Sequence, residues 1–212
     1  MSSAALQAPT TTPMTRREFL YYVWGASMAL FMAETGGAIF WFALPRFREG
    51  EFGGKITLDI AVLPSVDSGP KDFPEGRFWL VNLGPKSASD SRQPAAYPTQ
   101  EGLVAIYKVC VHLGCLYKWV PTNDRFECPC HGSKYLANGV RMDGPAQRNL
   151  DKFVIEAQDA NGNPLAKTSV GNANEDANAG APIALPSGTA KLVIDTGKKI
   201  QGAVNTKPGG GK

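Results

Sequence analysis

The pattern of apolar and polar residues divides the chain into two parts of different character. Residues 19–44 form one nearly continuous apolar stretch. At about 1.5 Å per residue, a helix of this length can cross a hydrocarbon core of ~30 Å with some tilt. Beyond residue 55 the apolar residues occur in short runs rich in β-branched and aromatic side chains, separated by Gly, Pro, Asn and Asp. The pattern predicts one membrane helix followed by an all-β domain.

The apolar stretch carries one acidic residue, Glu34, in its interior. Neither flank of Glu34 is long enough to span alone, so the helix must carry this residue into the membrane, where a charge is costly. Small residues along the stretch favour close contact with other helices. The stretch is longer than the apolar core of a cleaved signal, and it ends in aromatic residues. We therefore expect an uncleaved anchor that packs within a larger complex; alternatively, the helix simply tolerates Glu34.

The segment before the anchor, residues 1–18, contains a pair of arginines. Arg16 and Arg17 precede Phe19-Leu20, which resembles the twin-arginine signal read by the Tat exporter of folded proteins. Alternatively, the two arginines only flank a membrane helix on its cytoplasmic side. Both interpretations place the N-terminus in the cytoplasm and the β domain outside it.

The predicted domain order continues with a hinge and the β domain. Residues 45–55 are charged and glycine-bearing, and predict a flexible hinge, so that the β domain spans residues 56–212. Residues 158–188, dominated by Asn, Ala, Gly and Asp, predict a long surface loop to which no function is assigned. The predicted strands are residues 56–60, 78–83, 103–109, 153–157 and 192–194.

Composition limits the functions that the protein can have. A formal charge of +3 is too small to indicate a nucleic-acid partner, and 43% hydrophobic residues exclude a multi-span membrane protein. The chain has four cysteines and two histidines, and all of them lie between residues 110 and 131. This concentration indicates a metal site.

The two segments that hold these residues are CVHLGC (residues 110–115) and CPCHGS (residues 128–133). Three interpretations are open from the residue types alone. Zinc usually takes four ligands from paired C-x2-C segments, whereas six candidates are present here. A disulfide framework suits an exported domain but leaves the histidines unexplained. The third is an iron–sulfur cluster with thiolates on one iron and imidazoles on the other.

Both segments resemble the cluster loops of Rieske proteins, in the disulfide-bearing form found in cytochrome bc-type complexes: C-x-H-x-G-C and C-x-C-H-G-S. The resemblance implies an antiparallel β-sandwich with a small cluster-binding subdomain at about residues 103–150, and one [2Fe–2S] cluster per chain. It also implies the role of each rare residue: iron ligands Cys110, Cys128, His112 and His131, and a disulfide between Cys115 and Cys130.

Residues after the second segment extend the resemblance. Ser133 and Tyr135 match a serine and a tyrosine whose hydroxyls bond the cluster's sulfur atoms in high-potential members. Otherwise Ser133 only satisfies a turn and Tyr135 packs on a strand. Gly144-Pro145-Ala146 resembles the start of the loop that covers the cluster. Gln147 departs from the second proline common there, which leaves the stiffness of the loop open.

The resemblance implies a subunit of a quinol–cytochrome c or quinol–plastocyanin oxidoreductase in a bacterial cytoplasmic or photosynthetic membrane. His131 would receive a proton from quinol while the cluster receives an electron for a c-type or f-type cytochrome. The expected partners are a cytochrome b subunit, that cytochrome, quinol and membrane lipid, in a dimeric complex. Two alternatives remain, the Rieske small subunit of an arsenite-oxidase-type molybdoenzyme and a membrane-tethered carrier without a catalytic partner.

Overall fold

The structure, a computed structural model, describes residues 13–44, 52–93 and 100–205. The chain separates into two compact units, Met1–Arg46 and Phe47–Lys212. The predicted N-terminal segment up to residue 12 and most of the predicted hinge, residues 45–51, lie outside the described residues, as do residues 206–212.

The first unit contains helix α1, Arg16–Ala43. The helix begins after Thr15, whose hydroxyl accepts the N–H of Glu18 at 3.3 Å while the Glu18 carboxylate accepts the N–H of Thr15 at 2.9 Å. This reciprocal cap satisfies two donors that a helix N-terminus otherwise leaves unpaired. Among the described residues, α1 is the one helix long and apolar enough to cross a membrane, and none of its residues is buried. The predicted apolar helix is confirmed.

The second unit is built almost entirely of antiparallel β-strands in two sheets. The larger sheet contains β1 (Lys55–Asp59), β2 (Lys71–Phe73), β3 (Phe78–Leu83), β4 (Gly102–Tyr107), β9 (Lys152–Gln158), β10 (Pro164–Lys167) and β11 (Lys191–Ile200). The smaller sheet contains β5 (Lys118–Val120), β6 (Arg125–Glu127), β7 (Lys134–Tyr135) and β8 (Arg141–Asp143). A four-residue helix, α2 (Pro85–Ala88), follows β3. The all-β prediction is confirmed.

The larger sheet has the strand order β1-β11-β9-β4-β3-β2, with β10 paired to β9. The smaller sheet follows the chain, β5-β6-β7-β8. Strand β3 lies between two cores because successive side chains of a strand point to opposite faces. Phe78 and Leu80 pack in the core of the larger sheet, whereas Val81 and Leu83 pack with the residues of the smaller sheet. The larger sheet therefore supports the smaller one.

Residues 158–188 do not form a surface loop throughout, so that prediction is wrong in part. Strand β10 pairs with β9, and Ile183 pairs with Leu103 of β4. Ala179 is buried against Val154 and Ile200. Alanine and asparagine carry too weak an apolar pattern to predict this burial, which depends on a sheet face that the rest of the domain has already formed.

The last residues of the predicted hinge contact the β domain. The Gly53 N–H donates to the Thr196 hydroxyl at 2.8 Å, and that hydroxyl donates to the Gly54 carbonyl at 2.8 Å. The Phe52 ring stacks on Tyr107 with a centroid distance of 5.8 Å. Residues 52–54 are thus attached to the larger sheet.

Candidate metal centre

Two loops with the same backbone hydrogen-bond pattern form the site. The first loop, residues 110–115, lies between β4 and β5, and the second, residues 128–133, joins β6 to β7. In each loop the first cysteine exchanges hydrogen bonds with the residues four and five positions later. The bonds are Gly114 N to Cys110 O (3.0 Å), Cys110 N to Cys115 O (2.8 Å), Gly132 N to Cys128 O (3.0 Å) and Cys128 N to Ser133 O (2.8 Å).

A disulfide joins the two loops through Cys115 and Cys130. It leaves Cys110 and Cys128 as free thiols, and these are only 2% and 4% exposed. The sulfurs of Cys115, Cys128 and Cys130 lie within 4.8 Å of one another. Because two of these three belong to the disulfide, Cys128 is the one among them that can offer a thiolate to a metal.

Each of the two disulfide-linked loops carries one histidine. The rings of His112 and His131 are nearly perpendicular, with centroids 4.9 Å apart. His112 is half-buried and His131 is exposed. The structure therefore brings together the four residues predicted as ligands, with the sulfurs inside and one imidazole open to solvent.

The buried Cys128 thiol is poorly placed to ionise by itself. Burial raises the pKa of the Cys128 thiol, and the adjacent Cys110 thiol raises it further, although the N–H groups of Cys130 and His131 act in the opposite direction. A coordinated metal ion deprotonates such thiols outright. Two buried thiols and two imidazoles are thus a set of donors that suits metal ions able to bind both sulfur and nitrogen.

Tyr135, on β7, places its phenol oxygen 3.2 Å from the Cys110 sulfur. The residue is fully buried, and burial raises its pKa well above the ordinary value. Tyr135 therefore keeps its proton and can donate a hydrogen bond to the sulfur. The structure thus places Tyr135 beside the sulfur of a predicted ligand.

Ser133 connects the second loop to residues 144–149, which we call the cover loop. The fully buried Ser133 hydroxyl oxygen accepts the N–H of Ala146 at 3.2 Å. Gly144 makes this approach possible, since it has φ +92° and a Cβ there would lie 2.4 Å from the Ser133 Cα. Pro145 is exposed and Ala146 is buried. The cover loop thus lies directly against the second loop.

Comparison with known proteins identifies this arrangement. Residues 72–154 match the model of the Rieske [2Fe–2S] domain. The cytochrome b6-f complex iron-sulfur subunit of Synechococcus sp. (strain JA-3-3Ab) is 32% identical over 142 residues, which are 66% of this chain and 80% of that protein. The chain belongs to the Rieske iron–sulfur protein family.

Other Rieske proteins are also similar to this chain. The cytochrome b6-f complex iron-sulfur subunit of Gloeobacter violaceus is 32% identical, over 71% of this chain and 80% of that protein. A solved structure, the cyanobacterial plasma membrane Rieske protein PetC3 from Synechocystis PCC 6803, is 30% identical, covering 45% of this chain and 81% of that one, with a TM-score of 0.29. The cofactor of this Rieske protein is a [2Fe–2S] cluster, as predicted, and the two buried thiols and two histidines fit it.

A group of packed aromatic rings next to the two loops was not predicted from the sequence. Tyr117 packs edge-on against Phe126 at a centroid distance of 5.2 Å, and Trp119 packs against the same ring at 5.0 Å. The Tyr117 hydroxyl donates to the Tyr107 carbonyl at 2.6 Å, and burial holds the pKa of Tyr117 well above its ordinary value. The period-two spacing of Tyr117 and Trp119 is the signal that could have indicated it.

Proposed function

We propose that this Rieske protein is the iron–sulfur subunit of a membrane quinol-oxidising complex of the cytochrome b6-f or bc type. Two independent features support the proposal. The relatives that this chain matches over most of their own length are named as iron–sulfur subunits of cytochrome b6-f complexes. The chain also has a helix that is long and apolar enough to anchor it in a membrane.

Within this proposal, Cys110 and Cys128 hold one iron, and His112 and His131 hold the other. The burial of both free thiols and the close approach of both imidazoles support this assignment. A [2Fe–2S] cluster with two neutral imidazoles carries two negative charges fewer than one with four thiolates, so it accepts an electron at a higher potential, roughly −150 to +300 mV. Tyr135 and Ser133 favour the reduced state further by donating hydrogen bonds to sulfur.

The observation that carries the proposal is the exposure of His131 at the end of disulfide-clamped loops whose thiols are buried. An exposed imidazole can meet a substrate, whereas the buried Cys110 and Cys128 cannot. The ring nitrogen of His131 that is not bound to iron would accept the hydrogen bond of a quinol hydroxyl and then its proton. A bound cluster would supply the electron acceptor, and its added negative charge on reduction would favour the proton on His131.

An apolar surface that begins directly after His112 supports docking onto a cytochrome b subunit. Leu113, in the first loop, is 69% exposed, and Leu116, directly after this loop, is 62% exposed. Such exposure is unusual for leucine. Exposed apolar side chains around a reactive group are typical of a contact surface. In the proposal this surface encloses the quinol between His131 and the membrane subunit.

The remaining parts of the chain supply delivery and movement. Export by the Tat route through Arg16 and Arg17 would carry the domain, with its cofactor already inserted, to the outer side of the membrane. Residues 45–51 would then act as the hinge, because residues 52–54 are attached to the larger sheet. The domain would receive an electron at cytochrome b and deliver it to a c-type or f-type cytochrome within a dimeric complex.

The test is purification of the affinity-tagged chain from membranes of its source cells, followed by quinol-dependent cytochrome reduction. We expect a b-type cytochrome to copurify. Leu113→Asp should keep the cluster's EPR spectrum but lower turnover at least about tenfold, since interface residues of this kind contribute about 1.4 kcal/mol or more. Leu165→Asp, at a 41% exposed leucine of β10, is the matched control and should have normal turnover.

Two outcomes would contradict the proposal. Copurification of a molybdenum subunit without cytochrome b would assign the chain to an arsenite-oxidase-type enzyme. Equal turnover of Leu113→Asp and the unaltered chain would show that the Leu113 surface does not dock on the quinol-binding subunit.

A further inference from the structure

The cover loop is paired with a segment far away in the sequence. The Asn149 N–H donates to the Ala203 carbonyl at 2.9 Å, and the Asn205 N–H donates to the Gln147 carbonyl at 3.0 Å. Between these bonds, Arg148 and Val204 form an antiparallel bridge. Residues 203–205, which we call the C-terminal strap, therefore lie along the second half of the cover loop and restrict its backbone at Gln147.

Arg141, the first residue of β8, ties the C-terminal strap to the first half of the cover loop. One guanidinium nitrogen donates to the Asn205 carbonyl at 2.7 Å, and the other donates to the Gly144 carbonyl at 2.7 Å. In return, the Asn205 side-chain nitrogen donates to the Arg141 carbonyl and to Asn149 Oδ1, both at 3.0 Å. Asn205 is only 6% exposed. The two side chains thus hold both ends of the cover loop.

The cover loop in turn contacts residues of the metal centre. Its Ala146 N–H donates to the Ser133 hydroxyl oxygen at 3.2 Å, and Arg141 lies opposite Tyr135 in the pairing of β8 with β7. A hydroxyl that accepts a hydrogen bond becomes a stronger donor of its own proton. The position of Ala146 therefore influences how strongly, and in which direction, Ser133 donates.

We propose that Arg141 and Asn205 are positioning residues that hold the cover loop against Ser133 and thereby help to set the reduction potential and the retention of the [2Fe–2S] cluster. The inference rests on the proposed ligand assignment, because it requires the cluster to lie where Ser133 can donate to its sulfur. Hydrogen bonds to cluster sulfurs favour the more negative, reduced state. A loosened cover loop weakens that bond, so the potential falls.

The test compares Asn205→Ala and Arg141→Gln with the unaltered full-length chain. The measurements are the midpoint potential by redox titration, the EPR spectrum of the reduced cluster, and the rate of cluster loss followed by visible absorption. We expect lower potentials, altered EPR line shapes and roughly fivefold faster cluster loss, the ratio that corresponds to one buried hydrogen bond of about 1 kcal/mol. Arg141→Lys keeps the charge but lacks the forked guanidinium that reaches both carbonyls, so it should lie between Arg141→Gln and the unaltered chain.

The matched control is Asn82→Ala. It removes a half-buried hydrogen bond from the side chain of Asn82, on β3 of the larger sheet, to the Pro64 carbonyl. It should leave the potential and the EPR spectrum unchanged. The inference is overturned if Asn205→Ala and Arg141→Gln also leave both unchanged, even when they lower the melting temperature. All three measurements are made on the isolated chain, so a failure to oxidise quinol would count against the proposed function and not against this role of the C-terminal strap.

Discussion

The two sheets of the β domain are stabilised in different ways. In the larger sheet, β11 is ten residues long and its pairing with β9 buries a continuous apolar core. In the smaller sheet the strands have only two or three residues, and the core includes Cys110 and Cys128 among aromatic rings. Strands this short do not hold a sheet together by their own hydrogen bonds.

The difference shows which interactions each sheet depends on. The larger sheet depends on buried apolar area, which does not require the cofactor. The smaller sheet depends on covalent and coordination links between its loops, namely the Cys115–Cys130 disulfide and the proposed ligands. Variants that break one kind of interaction should therefore affect one sheet much more than the other.

The largest effect is expected for Cys128→Ser. Serine replaces the proposed thiolate ligand, so the cluster should be lost completely, while the larger sheet remains folded. Absorption and EPR spectra report the cluster, and far-ultraviolet circular dichroism reports the sheets. Retention of a cluster with an unaltered EPR spectrum would show that Cys128 is not a ligand.

Removal of the disulfide by Cys115→Ser should have the next largest effect. The bridge closes a segment with a sequence separation of 15, for which loop entropy corresponds to about 3 kcal/mol of stability. We expect the cluster to assemble but to be lost during heating at a lower temperature than in the unaltered protein. Equal temperatures of cluster loss would mean that the bridge does not stabilise the smaller sheet.

A smaller effect is expected for Gly144→Ala, compared with Gly162→Ala in the β9–β10 turn. Both glycines have positive φ, +92° and +87°, so alanine is strained at either by about 1–2 kcal/mol. Only Gly144 meets Ser133, which adds a clash of about 1–3 kcal/mol. Chemical denaturation should show the larger loss for Gly144→Ala, and only this variant should change the EPR spectrum. Equal losses would contradict the close packing of the cover loop.

The smallest effect is a dependence of stability on pH that comes from Asp151. Burial alone would raise the pKa of this carboxyl, but hydrogen bonds from Arg148 and the Gly202 N–H, with the charges of Arg148 and Lys199, lower it below 3.8. Because the folded-state pKa is the lower one, its contribution is present above the unfolded-state pKa of about 3.9 and is lost as the pH falls through the folded-state value.

Asp151→Asn removes this contribution. Denaturation of the unaltered protein and the variant between pH 7 and pH 2 should therefore show a smaller decrease of stability at the acidic end for the variant. Parallel curves would mean that Asp151 is not the group responsible.

The sequence allowed the candidate site to be predicted more completely than the fold. The candidate residues of the site lie in two short segments, and the resemblance of these segments to the Rieske cluster loops implies the ligands and the disulfide. The packing of the cover loop could not be predicted from local sequence. Gly144 can be identified in the sequence, but its contact with Ser133 and the restraint by Asn205 arise between residues that are far apart along the chain. The long strands β3 and β9 were predicted from apolar runs, whereas β5 to β8 are too short to show a periodic pattern.

The most direct test of the central claim is pulsed EPR of the reduced protein after labelling of its histidines with ¹⁵N. The chain contains only two histidines, so no other imidazole can contribute to the signal. The ligand assignment predicts two histidine-nitrogen couplings, and replacement of His112 or His131 should abolish this pair of couplings. A reduced cluster without any ¹⁵N coupling would show that neither histidine is a ligand and would contradict the account.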